Sequence, residues 1–273
     1  MNCRGLLVSV NKPLVMGILN ITQDSFFDGG LYQQKDAILK RVEQILNEGA
    51  DIVDVGCMAT NPQAKEISQE EELKTLDYVG NILFPTYKDV LFSIDTYRSK
   101  VAATAVNMGF SIVNDISGGD FDPDMFETVA KLQVPYILMH TSGKPHEMQQ
   151  KTNYNNVVQD IMLIISKKVQ KLRTLGVNDI IIDPGFGFGK TVEQNYELMK
   201  NLSVFQTLQC PILVGISRKS MIYKLLDISP SEALNGTTVL NTFALMNGAN
   251  ILRVHDVKPA VEAVKIVSQL QQI

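Results

Sequence analysis

The chain has few cysteines. Cys3, Cys57 and Cys210 are scattered along 273 residues with no paired spacing. That excludes a disulfide framework and gives no zinc site. Positive charge is in short supply too. Twenty-five lysines and arginines stand against 29 acidic residues, for a net charge of −4. A chain so balanced carries no electrostatic footprint for nucleic acid. No apolar run reaches the length of a membrane span. The opening MNCRGLLVSVNK holds one early arginine and an apolar stretch too short for a signal peptide. The expectation is a reduced, cytoplasmic protein. Internal repeats, low-complexity tracts and composition shifts are all missing, so residues 1–273 read as a single domain.

What is present is a large apolar fraction, 45%, with 20% charged residues. That is material for a sizeable core. Strand-length apolar runs recur eight times: LVMGILNI from Leu14, DIVDVG from Asp51, VLFSID from Val90, SIVNDI from Ser111, YILMH from Tyr136, IIID from Ile180, ILVGIS from Ile212 and ILRVH from Ile251. Continuous apolarity suits strands buried on both faces, as in a parallel sheet. Helical patterns lie between them. The clearest runs from Tyr154 to Leu175, where Val157, Val158, Ile161, Ile165, Val169 and Leu172 fall at helical steps and Gly176 supplies a stop. Leu39 to Leu46 and Val261 to Leu270 read similarly. Eight alternations predict an α/β fold of the (β/α)8 TIM-barrel type, with an open doubly wound sheet as the rival. The segment 1–13, with LLVSVNKP, reads as a possible N-terminal hairpin closing the barrel floor.

The ends of the strands are polar. They carry Asn20, Asp54, Asp95, Asn114 with Asp115, His140, Asp183, Ser217 with Arg218 and Lys219, and Arg253 with His255. Such groups are costly to bury without partners. In a barrel they converge on the rim where active sites form. Asp54 and Asp115 are equally readable as caps of the following helices. His140 reads as a core histidine at least as well as a ligand, and His146 as a solvated loop residue. Arg253 and His255 are two apart on a strand and share a side, an arrangement that clamps an anion.

One stretch, IIIDPGFGFGK from Ile180 to Lys190, places glycine at every second position after Asp183. Its spacing fits neither a P-loop nor a dinucleotide fingerprint. The glycines read as freeing a loop. Phe186 and Phe188 read either as loop anchors or as covers for a flat, apolar ligand.

MGILNITQDSFFDGG, SIDT, NDISGG, DPGFGFGK, GISRKS and RVHDV occur in that order. Over nearly the whole chain, this set resembles the dihydropteroate synthases, pterin-binding TIM barrels of the folate pathway. The resemblance implies condensation of 6-hydroxymethyl-7,8-dihydropterin pyrophosphate with 4-aminobenzoate, giving 7,8-dihydropteroate and pyrophosphate. It also implies Mg2+, a homodimer and a sulfonamide target. By family motif, Asp95, Asn114 and Asp183 would hold the pterin, with Lys219 on its carbonyl side. Asn20 would hold Mg2+, and Arg253 with His255 the phosphate oxygens. Phe188 and the Ser217–Lys219 segment would contact the ring and carboxylate of 4-aminobenzoate. Thr60, Ile116, Met139 and Gly215 would complete the substrate-binding set, and Asp95, Lys219, Arg253 and His255 would be the catalytic group. The chain departs from the family at Gln23, where proline is common, and in the second loop. There CMATNPQA stands in place of a G-E-S-T-R-P-G-A-like sequence, with Asn61 where the family carries arginine. The rivals are a methyltetrahydrofolate:corrinoid methyltransferase, which would not need SRKS or an anion clamp, and a pterin-binding paralogue with little catalysis.

Overall fold

A computed structural model of the chain describes residues 1–21, 31–57, 67–145 and 147–270. A short hairpin comes first, β1 (Asn2–Cys3) pairing antiparallel with β2 (Leu6–Leu7). Strands and helices then alternate: β3 (Leu14–Asn20), α1 (Leu31–Asn47), β4 (Ile52–Gly56), α2 (Gln69–Thr86), β5 (Leu91–Asp95), α3 (Ser99–Met108), β6 (Ile112–Asp115), α4 (Met125–Leu132) and β7 (Tyr136–Met139). After these come α5 (Val157–Thr174), β8 (Ile180–Asp183), α6 (Val192–Lys200), β9 (Leu213–Val214), α7 (Ser220–Leu226), α8 (Leu234–Met246), β10 (Ile251–Val254) and α9 (Val257–Leu270).

Strands β3 to β10 are parallel, in the order β8-β7-β6-β5-β4-β3-β10-β9. The two ends of that order meet at a parallel bridge between Ile182 and Ile212, with Ile182 N–H donating to the Pro211 carbonyl at 2.9 Å. The sheet is thus a (β/α)8 barrel. A doubly wound sheet would reverse its strand order partway, and this one does not.

The helices form where the sequence carries one apolar stripe and a start signal. On α5, Val157, Val158, Ile161, Ile165, Val169 and Leu172 are buried, and the Asn156 side chain accepts from the Gln159 N–H. Ser68 and Glu71 make a reciprocal capping box at the start of α2.

Inside the barrel, alternation along the strands decides what each layer contains. Leu14, Met16, Ile52, Ile112, Ile137, Ile181, Leu213 and Ile251 form the floor cluster, and Cys3 of the hairpin, with Met1, Val8 and Val10, packs against it. Two residues further along the same strands stand Asp54, Asn114, Met139, Asp183, Gly215 and Arg253. The strands change from apolar to mainly polar side chains in one step, and that step sets the depth of the site.

Ile181 is fully buried in the floor cluster, whereas Leu163 on α5 is 56% exposed. Ile181→Ala should lower the unfolding free energy by about 2–5 kcal/mol, and Leu163→Ala by less than about 0.5 kcal/mol. Urea denaturation of the two variants checks the layer assignment; similar losses would refute it.

Candidate active site at the strand ends

Four strands contribute to a buried ionic cluster. Arg253 Nε donates to Asp54 Oδ2 at 2.6 Å, and Arg253 Nη2 donates to Asp95 Oδ2 at 2.7 Å. Asn114 Nδ2 donates to the same Asp54 oxygen at 2.9 Å. Asp54 is completely buried and Asp95 nearly so. Burial drives the Asp95 carboxyl up to about 7, against the pull of Arg253 and with Asp54 adding to the rise. Burial works against the Arg253 charge, but Asp54 and Asp95 hold the guanidinium above its usual range. Asp95 Oδ1 and Asp54 Oδ1 are buried and find no hydrogen-bond partner among the described residues. A buried unsatisfied acceptor is costly, and at Asp95 it offers a place for a ligand N–H.

This cluster changes two readings. Among the described residues Asp54 caps no helix; it is the inner partner of Arg253. Arg253 and His255 do not make a pair of free cations. Two carboxylates share the guanidinium. His255 is exposed after β10, and its Nδ1 lies 3.1 Å from Ser217 Oγ. Partial burial of the ring, then Arg253, pull the imidazole down to about 4, so it is neutral at pH 7. Gly215 stands beside the same arginine, since a Cβ there would lie 3.7 Å from the Arg253 Cβ.

Across the barrel, Asp183 Oδ1 accepts from the Gly185 N–H at 2.7 Å. Burial raises this carboxyl, and Lys219 is the leading opposing influence. Lys219 Nζ donates to the Phe186 carbonyl at 2.6 Å and lies 4.5 Å from the centre of the Phe188 ring. Burial lowers this ammonium to about 8, with Asp183 opposing. Phe188 packs on an apolar cluster of Ile67, Tyr97, Ile116 and Met139. A carboxylate, an ammonium and an apolar wall therefore adjoin one another.

The loop after β8 is not a free arm. Gly185, Gly187 and Gly189 have φ of +73°, +81° and +63°. A Cβ at Gly185 would stand 1.9 Å from the His140 carbonyl oxygen. Glycine is there for handedness and close approach rather than mobility. Lys190 is buried and ties the loop down, donating to the Gly185 carbonyl at 2.7 Å and the Phe188 carbonyl at 3.0 Å. Asn195 Oδ1 accepts from the Gly187 N–H, and Tyr154 Oη donates to the Gly189 carbonyl. Phe186 is fully buried, an anchor; Phe188 is the residue that faces the apolar cluster.

The remaining sequence candidates separate. His140 is a satisfied core histidine, with Nδ1 3.1 Å from Lys190 Nζ. Burial and then Lys190 hold it well below the usual range. Asp115 accepts from Ser117, Gly119 and the Tyr136 hydroxyl, which is a structural role. Asn20 ends β3 with an exposed side chain. Thr60, Asn61 and Pro62, with Gln23 and His146, lie outside the described residues. Among the described residues no three His, Cys, Asp or Glu side chains gather as a metal site. In the sequence, Asp54 reads equally as a cap or a rim group, and Lys190 does not stand out as a site residue. The alternation in DIVDVG could have placed Asp54 inside, and Lys190 closes the glycine loop that follows Asp183.

A family model described as pterin binding enzyme matches residues 16–255. The chain belongs to this family. It is 38% identical to the dihydropteroate synthase of Escherichia coli (strain K12) over 266 residues, which is 97% of this chain and 94% of that one. Among solved structures it matches the dihydropteroate synthase of Yersinia pestis in complex with a sulfonamide drug, with a TM-score of 0.92, 37% identity, and coverage of 100% of this chain and 99% of that one. It also matches the Xanthomonas albilineans dihydropteroate synthase bound to 7,8-dihydropteroate, with a TM-score of 0.86, 30% identity, and 100% and 98% coverage. The rim of a pterin-binding barrel is therefore the place where these buried charges belong.

Removing Asp54 would leave Arg253 with half of its compensation. Asp54→Ala should lower the unfolding free energy by about 3 kcal/mol. A loss below about 1 kcal/mol in chemical denaturation would mean that Asp95 alone suffices for the arginine.

Proposed function

We propose that the chain is a dihydropteroate synthase, joining 6-hydroxymethyl-7,8-dihydropterin pyrophosphate to 4-aminobenzoate with release of pyrophosphate. The observation that carries the reading is the pair of buried carboxylates at the strand ends, Asp95 on β5 and Asp183 on β8. A pterin edge presents amino and ring N–H donors beside a carbonyl. Asp95 Oδ1 is an unfilled acceptor for such a donor, and Lys219 beside Asp183 suits the carbonyl side. Asn114, with its amide already oriented by Asp54, completes the polar edge. The same carboxylates favour positive charge developing on the pterin methylene as pyrophosphate leaves. The amine of 4-aminobenzoate then attacks that carbon. Phe188 supplies a ring face, and Ser217 with Lys219 the polar contacts. No side chain needs to form a covalent intermediate.

Mg2+ fits the residues as a companion of the pyrophosphate. It is a hard cation that keeps waters and takes substrate phosphate oxygens with few protein ligands. The amide oxygen of Asn20 is one suitable ligand, and bound Mg2+ would neutralise charge on the leaving group. The reaction would take place in the cytoplasm. A homodimer is supported by the outer face of α7 and α8, where Leu225, Leu226, Val239, Phe243 and Met246 are exposed. Apolar side chains gathered in this way suit a second copy of the chain.

A pyrophosphate-release assay with both substrates tests the reading. Steady turnover to dihydropteroate should need each substrate and should fall when Mg2+ is chelated; pyrophosphate release at the same steady rate with and without 4-aminobenzoate would contradict a synthase. Asp183→Asn should weaken pterin binding by about 2 kcal/mol, read by calorimetry, because a charge-assisted acceptor is lost. Unchanged affinity would remove Asp183 from the site.

The pH dependence follows from Lys219. Its ammonium is lowered to about 8 by burial, so it carries charge below that pH and loses it above. The value of kcat/KM should therefore fall as pH rises through this range. Lys219→Met should be poorly active with that limb flattened; an unchanged limb would assign it to another group.

A further inference from the structure

Five described non-glycine residues have φ in the left-handed region: Arg4, Gln133, Gln209, Arg218 and Asp227. Gln133, Gln209 and Asp227 close helices, and Arg4 sits in the hairpin turn. Arg218, with φ of +57°, stands at the rim between Ser217 and Lys219. The Lys219 N–H donates to the Ile216 carbonyl at 3.1 Å, so these residues form a tight turn with Arg218 third. A left-handed third position favours glycine or asparagine. For an arginine the conformation is costly and persists only where the surroundings fix it.

The surroundings here are specific. The Arg218 N–H donates to Thr237 Oγ1 on α8 at 3.1 Å. The guanidinium makes a two-pronged contact with Asp256, Nε to Oδ2 at 2.9 Å and Nη2 to Oδ1 at 2.8 Å. A planar fork on a carboxylate fixes orientation as well as position. The Arg218 side chain is thereby committed to Asp256. On either side of it, Ser217 Oγ meets His255, and Lys219 Nζ meets the Phe186 carbonyl beside Phe188. Rotating Arg218 out of the left-handed region would turn these two neighbours relative to each other.

We propose that Arg218 is a positioning residue whose fork onto Asp256 holds a left-handed turn, and that this turn sets Ser217 and Lys219 for 4-aminobenzoate. The inference rests on the synthase reading for what those two residues meet. The fork does not touch substrate; it keeps the competent turn populated. A partly populated competent state weakens apparent affinity by the fraction lost.

The test compares variants that all lose the fork but differ in tolerance of positive φ. Arg218→Ala and Asp256→Ala leave a side chain in the strained position. Arg218→Gly removes the strain, because glycine adopts this φ freely. With both substrates, Arg218→Ala and Asp256→Ala should raise KM for 4-aminobenzoate by roughly tenfold, with kcat at saturation largely retained. Arg218→Gly should stay within roughly threefold of the parent, and the Arg218→Gly/Asp256→Ala double variant should lose nothing more. Equal losses for the glycine and alanine variants would overturn the proposal, because the guanidinium itself would then be needed. So would an unchanged KM in the alanine variants, including one accompanied by a lower active fraction and Tm. Absence of turnover in the parent protein would reject the synthase reading instead. Calorimetry of 4-aminobenzoate in the presence of pyrophosphate would then read the same glycine-against-alanine contrast, and a flat series there would also overturn the proposal.

Discussion

Buried carboxylates set the terms for the rest of this structure. Asp54 and Asp183 stand one layer above an aliphatic floor, and Asp95 one layer above the buried Ser93. A lone ionised group at that depth would shed its charge or unfold its surroundings. The fold answers with Arg253 between Asp54 and Asp95, and with Lys219 beside Asp183. Arg253 comes from the last strand of the barrel and its partners from the second and third barrel strands. The cluster can therefore form only when β10 has closed against β3, as the parallel pairing of those strands provides. Ring closure and charge compensation are in this sense one event.

The loop after β8 follows from the same demand. Lys219 can neutralise Asp183 only if something keeps the ammonium in place. The Phe186 carbonyl does so, and the loop that carries it is in turn held by Lys190, Asn195 and Tyr154. Each of these contacts requires a backbone path that only glycine follows without strain at positions 185, 187 and 189. The glycine spacing, which fits no phosphate-binding motif, is thus the imprint of a tightly folded rim segment.

The sequence made the barrel legible because parallel strands buried on both faces leave continuous apolar runs, and eight of them alternate with helical stripes. It also located most of the site, since a polar residue ending such a run adds nothing to the apolar packing and must serve the rim. Asp183 and Asn114 could be found in this way. What it could not show was who partners whom. Arg253 and His255 share a side, but whether they act as two cations depends on Asp54 and Asp95, which are far away in sequence. Phe186 and Phe188 look equivalent in the string GFGFG, yet one is core and the other faces the apolar rim cluster. Lys190 in the string is one more lysine after a loop, and only its contacts with the Gly185 and Phe188 carbonyls reveal a buried fastening.

The charge balance at the rim bears on how an anionic substrate is met. Asp54, Asp95 and Asp183 face Arg253, Lys219 and Lys190, and His255 is neutral at pH 7. Counted at full charge, three carboxylates face three cations, so these described groups hold no surplus of positive charge for a pyrophosphate. Attraction through an ion pair already closed is weak, because Arg253 would have to release a carboxylate to gain a phosphate oxygen. In the proposed reaction, a divalent cation on the pyrophosphate would supply the missing positive charge. Asn20 suits that role because it is neutral and exposed at the mouth: it can ligate such an ion without adding a fourth carboxylate to a site already balanced. The protein's fixed charges would then hold the pterin, and Asn20 would hold an ion whose charge would offset that of the leaving group.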